Sequence, residues 1–125
     1  TTPPNLQEAV AFGLGKPAAY FDAMREKLAR ARHRLARALE QEGFVTLPAA
    51  GTYFMAIDLA ASGIGLSDMA FATWAVKQAG VATIPFSAFY ETPPERALVR
   101  LCFAKSDDTL DRGVEALATA RRLLA

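Results

Sequence analysis

ALVRLCFAKS, residues 97–106, is an apolar stretch with one arginine near its centre, and it decides how the rest of the chain is interpreted. As a β-strand it places Val99, Leu101 and Phe103 on one face of a sheet. Arg100 then lies on the other face, among small and apolar neighbours. A guanidinium stays charged in proteins, so taking it out of water costs several kcal/mol unless an anion meets it. The stretch therefore predicts a strand with one core face and one face that requires an anion.

Predicted helices and strands alternate around this strand. Further strands are predicted at 52–59, from its β-branched and aromatic residues, and at the start of 81–90, where Pro85 must end or kink the chain. Helices are predicted between Pro17 and Gly43, between the Ser67-Asp68 cap and Gly80, and from the Ser106-Asp107-Asp108 cap through Leu124. This order describes an α+β or two-layer α/β fold, in which helices cover one face of a small sheet. The other face is exposed, and apolar surface there indicates an interface with a further domain or partner.

The long N-terminal helix has two contrasting sides. An apolar stripe predicted to pack on the core consists of Phe21, Met24, Leu28, Ala31, Leu35 and Leu39. Another side carries Lys27, Arg30, Arg34 and Arg37, a pattern that nucleic-acid-binding helices also show. Neighbouring acids offset these charges and no aromatic residue is interleaved for base stacking. A solvated face is therefore predicted, without a nucleic-acid partner.

Composition limits the class of protein. The 125 residues are 52% hydrophobic and 22% charged with a formal net charge of +1, values typical of one folded domain. No apolar run approaches the ~18 residues of a membrane span, and the first residues lack the layout of a signal peptide. With Cys102 as the single cysteine, no internal disulfide is possible. A cytoplasmic location without a membrane partner is the expectation.

The reactive residue types are too sparse for a metal or nucleophile site. His33 is the only histidine and Cys102 has no spaced partner, so no metal site is expected. Arg100 remains the sharpest feature, because its planar fork of N–H donors fits a carboxylate or phosphate. Its anion is either an internal acid, with Asp58 and Glu95 as candidates, or a ligand. The chemistry of the residues alone slightly favours the internal pair.

Three motifs in order resemble one protein family. GTYFMAID (51–58), GVATIPFSAFY (80–90) and VRLCFAKSDDTL (99–110) resemble the C-terminal small domain of class I/II pyridoxal-phosphate aminotransferases of fold type I. The kynurenine, glutamine and methionine aminotransferase branch is the most similar. The resemblance implies a mostly antiparallel sheet of three or four strands, helices on one face and a long N-terminal helix. It also implies that 1–16 is a linker or helix that enters from a large domain and that 17–125 is the small domain.

The resemblance implies roles for individual residues. Arg100 matches the arginine that binds the α-carboxylate of the amino-acid or 2-oxo-acid substrate. Phe86, where many relatives have glycine, and Phe89 are implied to line the substrate pocket. No lysine here resembles the cofactor lysine, so pyridoxal phosphate is expected to be bound by the large domain, with no catalytic or cofactor-binding residue in this segment.

The implied activity is that of a homodimeric aminotransferase, which moves an amino group between an amino acid and a 2-oxo acid. This segment alone is expected to be inactive. Alternatives within the family are a cysteine-conjugate β-lyase and a succinyl-diaminopimelate-type aminotransferase. A stand-alone binding module without catalysis is an alternative of a different class.

Overall fold

The computed structural model describes residues 2–92 and 94–124, which form a four-stranded antiparallel sheet and its covering helices. The helices are α1 (Pro4–Leu14), α2 (Ala18–Gln41), α3 (Asp68–Trp74) and α4 (Asp107–Leu124), and the strands are β1 (Val45–Thr46), β2 (Phe54–Asp58), β3 (Ile84–Pro85) and β4 (Leu98–Cys102). A π-helical turn, Ala75–Ala79, extends α3, and a 3-10 turn, Phe86–Phe89, follows β3.

The strand order is β1-β2-β4-β3, so the strand that the opening stretch predicts lies inside the sheet. Arg100 of β4 is opposite Ala56 of β2 on one side and Ile84 of β3 on the other. Val99 is opposite Ile57 and Pro85 in the same way. Because side chains alternate along a strand, these two rows point to opposite faces of the sheet.

The core lies on one face of the sheet, as predicted. Met55, Ile57, Val99 and Leu101 point to this face and are buried. The helices pack on them through Leu35, Leu39, Phe71, Ala75, Leu110, Leu117 and Ala120. This arrangement confirms the predicted α+β fold of a small antiparallel sheet with helices on one face.

The predicted apolar stripe of α2 is only partly buried. Leu35 and Leu39 are in the core, whereas Met24 is 45% exposed, so the prediction that it packs on the core is wrong. The reason is length. Twenty-four helical residues span about 36 Å, while a five-residue strand spans about 17 Å. The first half of α2 therefore extends beyond the sheet that it would cover.

The strands differ from the prediction in two respects. β2 begins at Phe54 rather than at 52, because Thr52 has a φ of +64°, a left-handed conformation that strands do not contain. β1 has two residues and was too short to be seen in the sequence pattern. Pro85 ends β3 as predicted, since a proline has no N–H with which to continue the ladder.

Helix α1 carries an unpartnered apolar surface. None of its residues is buried, and the large side chains of Leu6, Val10, Phe12 and Leu14 are more than half exposed. Among the described residues, none of the helices is both long enough and apolar enough to cross a membrane.

A buried hydroxyl next to β3 generates a stability prediction. Thr83 is 5% exposed, and its Oγ1 has no hydrogen-bond partner among the described residues. Replacing it with the isosteric valine removes this unpaired polar group. Thr83→Val should raise the free energy of unfolding by about 1 kcal/mol in urea titrations of this chain. Thr73→Val, at an exposed position on α3, is the control and should change it by less than ~0.5 kcal/mol. A loss of stability in Thr83→Val would contradict the prediction.

Candidate functional site

Arg100 lies on the sheet face that the helices leave open. It is half-buried, in the middle of β4, with the small side chain of Ala56 across from it on β2. Phe54, Ile84 and Cys102 share this face by strand alternation. We refer to Phe54, Ala56, Ile84, Arg100 and Cys102 as the open face. These five positions are mainly apolar, and Arg100 is the charged one among them. Asp58, two residues beyond Ala56 on β2, lies further along the same side of the sheet and is bound by Arg96.

Two aromatic rings hold the guanidinium. Its Cζ lies 4.5 Å from the ring centroid of Phe54 and 5.2 Å from that of Phe89. Cation–π contacts of this kind contribute about 0.5–2 kcal/mol each, depending on how far water is excluded. A ring face attracts the cation without accepting the in-plane hydrogen bonds of its N–H groups. The guanidinium is thereby positioned while its paired donors stay available to an anion.

The internal ion pair favoured by the residue chemistry is not formed. Asp58 accepts a hydrogen bond from Nε of Arg96 at 3.0 Å and another from the backbone N–H of Ala61 at 3.0 Å. Within 2–92 and 94–124, neither Asp58 nor Glu95 forms a salt bridge with Arg100. The internal alternative, with Asp58 or Glu95 as the acid, is therefore not the one that forms, and the Asp58 carboxylate is bound by Arg96 in the loop that leads into β4.

The two phenylalanines predicted for the site are placed differently. Phe89 contacts the guanidinium from the 3-10 turn and is 61% exposed. Phe86 begins the same turn and is half-buried, but the cation–π contacts of Arg100 in the described part of the chain are to Phe54 and Phe89. The structure thus places Phe89 in contact with Arg100, whereas Phe86 lies further from the guanidinium, at the periphery of the candidate site.

Sequence reasoning missed two residues of this region. Phe54 was recognised only as part of a strand, since its place beside Arg100 depends on the β2–β4 register, Phe54 opposite Cys102. Asp68 was recognised only as part of a helix cap, but its carboxylate also binds the 3-10 turn at Ser87. The alternation of YFMAID indicates that Phe54 and Ala56 share a face, which was the available signal.

Other groups of polar side chains provide less of what a binding or catalytic site requires. In the described part of the chain, no three histidine, cysteine or acidic side chains are grouped as metal ligands. His33 is exposed on α2, with Nε2 3.4 Å from a guanidinium nitrogen of Arg32. Of the basic side of α2, Arg34 is bound to Asp111 at 2.7 Å. A cleft of about 650 Å³ between the 78–82 segment and α4 is lined by Leu101 and Cys102 of β4 but not by Arg100.

Comparison with known proteins identifies the family. The sequence pattern of the aminotransferase class I and II family matches residues 1–117. The chain belongs to this family. The predicted resemblance to class I/II aminotransferases is confirmed, and the relatives come from the predicted branch and its neighbours.

Individual aminotransferases are similar to most of the chain. Methionine aminotransferase of Escherichia coli K12 is 41% identical over 92 residues, which are 74% of this chain and 22% of that protein. Kynurenine–oxoglutarate transaminase 3 of mouse is 34% identical over 110 residues, 79% of this chain and 24% of that protein. The structure of N-succinyldiaminopimelate aminotransferase from Mycobacterium tuberculosis superimposes with a TM-score of 0.82 at 36% identity, covering 91% of this chain and 30% of that one.

The chain spans about a quarter of the length of these curated aminotransferase relatives, 22% of one and 24% of another. The fold relation extends to more distant members. An aspartate aminotransferase from Rhizobium meliloti has a TM-score of 0.78 at 23% identity and covers 95% of this chain. At that identity the likeness establishes the fold alone.

The Asp58 contacts predict how stability depends on pH. The hydrogen bond from Ala61 and then that from Arg96 lower the pKa of Asp58 below the ordinary 3.8. A lowered folded-state pKa adds stability above the unfolded value, and this stability is lost as the pH falls through the folded one. Wild type should therefore exceed Asp58→Asn in free energy of unfolding at neutral pH, and the difference should shrink below about pH 4.

Urea unfolding of both proteins across this pH range measures the effect. Asp108→Asn, which alters an exposed aspartate on α4, is the matched control and should show little difference at any pH. A wild-type advantage over Asp58→Asn that stays constant down to pH 2 would show that ionisation of Asp58 contributes nothing.

Proposed function

We propose that this chain is the part of a pyridoxal-phosphate-dependent aminotransferase that binds the substrate α-carboxylate through Arg100. The observation that carries the proposal is the state of the guanidinium: it is held by two rings on an open face, without a salt bridge among the described residues. Membership of the class I and II aminotransferases supports this assignment.

The chemistry of transamination requires such a site. An amino group moves between an amino acid and a 2-oxo acid, and every substrate and product carries a carboxylate next to the reacting carbon. One arginine with two parallel N–H donors can bind this carboxylate in both half-reactions. A bidentate contact fixes the direction of the bonds at the reacting carbon, and positioning of this kind is a major part of enzymatic rate enhancement.

The aromatic residues extend the proposed site. The exposed ring of Phe89 is adjacent to the guanidinium and is proposed to contact the rest of the substrate. Phe86, at the start of the same turn, is proposed as a more distant wall of the pocket. The named relatives act on methionine, kynurenine and N-succinyldiaminopimelate, whose side chains differ widely. A carboxylate site is what such substrates have in common.

The described residues do not fit a site for pyridoxal phosphate. In enzymes this cofactor is held by a lysine, with a further partner at its ring nitrogen, and it supplies the electron sink for bond changes at the amino carbon. Lys27, Lys77 and Lys105 are exposed, and Nζ of Lys16 lies 4.0 Å from the ring centroid of Phe12 on α1. We therefore assign the cofactor to a large domain elsewhere in the polypeptide.

This assignment defines the proposed organisation. Residues 17–125 are the small domain, and 1–16 connect it to the large domain. Closure of the open face against the large domain would bring Arg100 to the substrate and exclude water. The family resemblance further implies a cytoplasmic homodimer in which this segment alone is inactive.

Replacement of Arg100 tests the carboxylate assignment. In the full-length polypeptide, Arg100→Lys keeps the charge but loses the paired donors, so kcat/KM for amino acids should fall roughly tenfold to a hundredfold. The measurement uses methionine or kynurenine as amino donor and 2-oxoglutarate as acceptor. Arg112→Lys is the control, since Arg112 is exposed on α4, and it should leave the kinetics unchanged. Equal kinetics in Arg100→Lys and wild type would refute the assignment.

Cofactor retention tests the assignment of pyridoxal phosphate. The full-length polypeptide is incubated with pyridoxal phosphate and then dialysed. It should retain about one equivalent of the cofactor per chain, detected by the absorbance band of the bound cofactor. The 125-residue chain alone should lose it, because its lysines offer no enclosed site. Stoichiometric retention by the 125-residue chain would contradict the proposal.

A further inference from the structure

The turn that carries Phe89 is fastened to the start of helix α3. The backbone N–H of Ser87 donates to Oδ2 of Asp68 at 2.7 Å, and the Ser87 hydroxyl donates to Oδ1 at 2.9 Å. One carboxylate therefore binds both polar groups of one residue, 19 positions further along the chain. Such paired bonds to a carboxylate are shorter and stronger than neutral hydrogen bonds.

Asp68 is committed to this contact. It is 5% exposed, and its Oδ1 also accepts the backbone N–H of Met69 at 2.8 Å. In residues 2–92 and 94–124 no basic side chain forms a salt bridge with it, so N–H and O–H donors satisfy its charge. The helix itself is capped by a different residue, Ser67, whose Oγ accepts from Ala70. Capping alone therefore does not require Asp68.

The contact bears on Arg100 through Phe89. Phe54, the other ring at the guanidinium, belongs to β2 and is fixed by the β2–β4 ladder. Phe89 is two residues beyond Ser87 and 61% exposed, so packing does not fix its ring. The turn is anchored on one side by the pairing of β3 with β4 and on the other by Asp68.

We propose that Asp68 is a positioning residue for Arg100: its carboxylate holds Ser87, the anchored turn holds the Phe89 ring, and the ring orients the guanidinium. The consequence for catalysis rests on the function proposed above. A guanidinium that samples several orientations must be ordered by each incoming carboxylate, which weakens binding without changing the reacting groups. Loss of the contact should therefore raise KM for amino acids and leave kcat nearly unchanged.

A substrate-free measurement tests the structural part. In the 125-residue chain, NMR resonances of the Arg100 δ protons should be displaced by the two rings, and Phe89→Leu defines the displacement due to Phe89. Ser87→Ala and Asp68→Asn should each move these resonances towards their Phe89→Leu positions. The first removes the hydroxyl that donates to Oδ1, and the second leaves one acceptor oxygen for three N–H and O–H donors. Ser87→Thr, which keeps the hydroxyl, should restore them.

Ser62→Ala is the matched control for Ser87→Ala. The Ser62 hydroxyl also forms hydrogen bonds within the fold, but at the opposite edge of the sheet: it accepts the backbone N–H of Val45 and donates to the backbone carbonyl of Asp58. It should leave the Arg100 resonances in place. Should Asp68→Asn fail to fold, Asp68→Ser, which removes the carboxylate from both Ser87 donors, is measured in its place. Arg100 resonances unchanged in a folded Asp68 variant would overturn the proposal.

Kinetics of the full-length polypeptide test the functional part. Asp68→Asn and Ser87→Ala should raise KM for the amino donor roughly three- to tenfold with kcat within about twofold of wild type. A fall in kcat with unchanged KM would overturn the positioning role. Arg100→Lys separates the two proposals. If it leaves the kinetics unchanged, the carboxylate assignment fails, while the resonances of Arg100 still decide whether Asp68 orients it.

Discussion

The antiparallel pairing of β4 with β2 and β3 is the constraint on which the rest of the structure depends. It fixes which residues of β4 point to the helices and which point away. Val99 and Leu101 enter the core on one side, and Arg100 is placed on the other side between Ala56 and Ile84. The cost of holding a guanidinium on a mainly apolar face is offset by the rings of Phe54 and Phe89 rather than by an internal acid.

The surrounding elements stabilise this arrangement without occupying the guanidinium. Arg96 binds Asp58, which removes the acid that would otherwise compete for Arg100. Asp68 binds the turn that carries Phe89. The buried carboxylates of Asp58 and Asp68 are thus both bound by groups other than Arg100.

Much of the fold could be predicted from the sequence. Helices α2, α3 and α4, strands β2 and β4 and the end of β3 at Pro85 follow from periodicity, caps and the geometry of proline. Strand β1 could not be predicted from the sequence, because two residues are too few to show a periodic pattern. The exposure of Met24 could not be predicted either. Periodicity shows which side of a helix is apolar, but it does not show how far the sheet beneath the helix extends.

The candidate site could be predicted only in part, for a related reason. Arg100 stands out because it breaks an apolar pattern, which is a local signal. Its neighbours do not stand out, because their proximity depends on pairing between segments that are distant in sequence. Asp58 and Arg96 show the limit clearly: an acid and two arginines give more than one plausible pair, and only the positions of the backbone decide which forms.

The alternation along β4 separates two kinds of sequence change. Substitutions at 100 and 102 change side chains of the open face, whereas those at 99 and 101 change side chains of the core. An insertion or deletion within the strand has no such freedom. Because the side-chain period is two, a shift by one residue would carry the arginine into the core and the valine out of it. The open face can therefore change at this strand by replacement of residues and not by changes in the length of the strand.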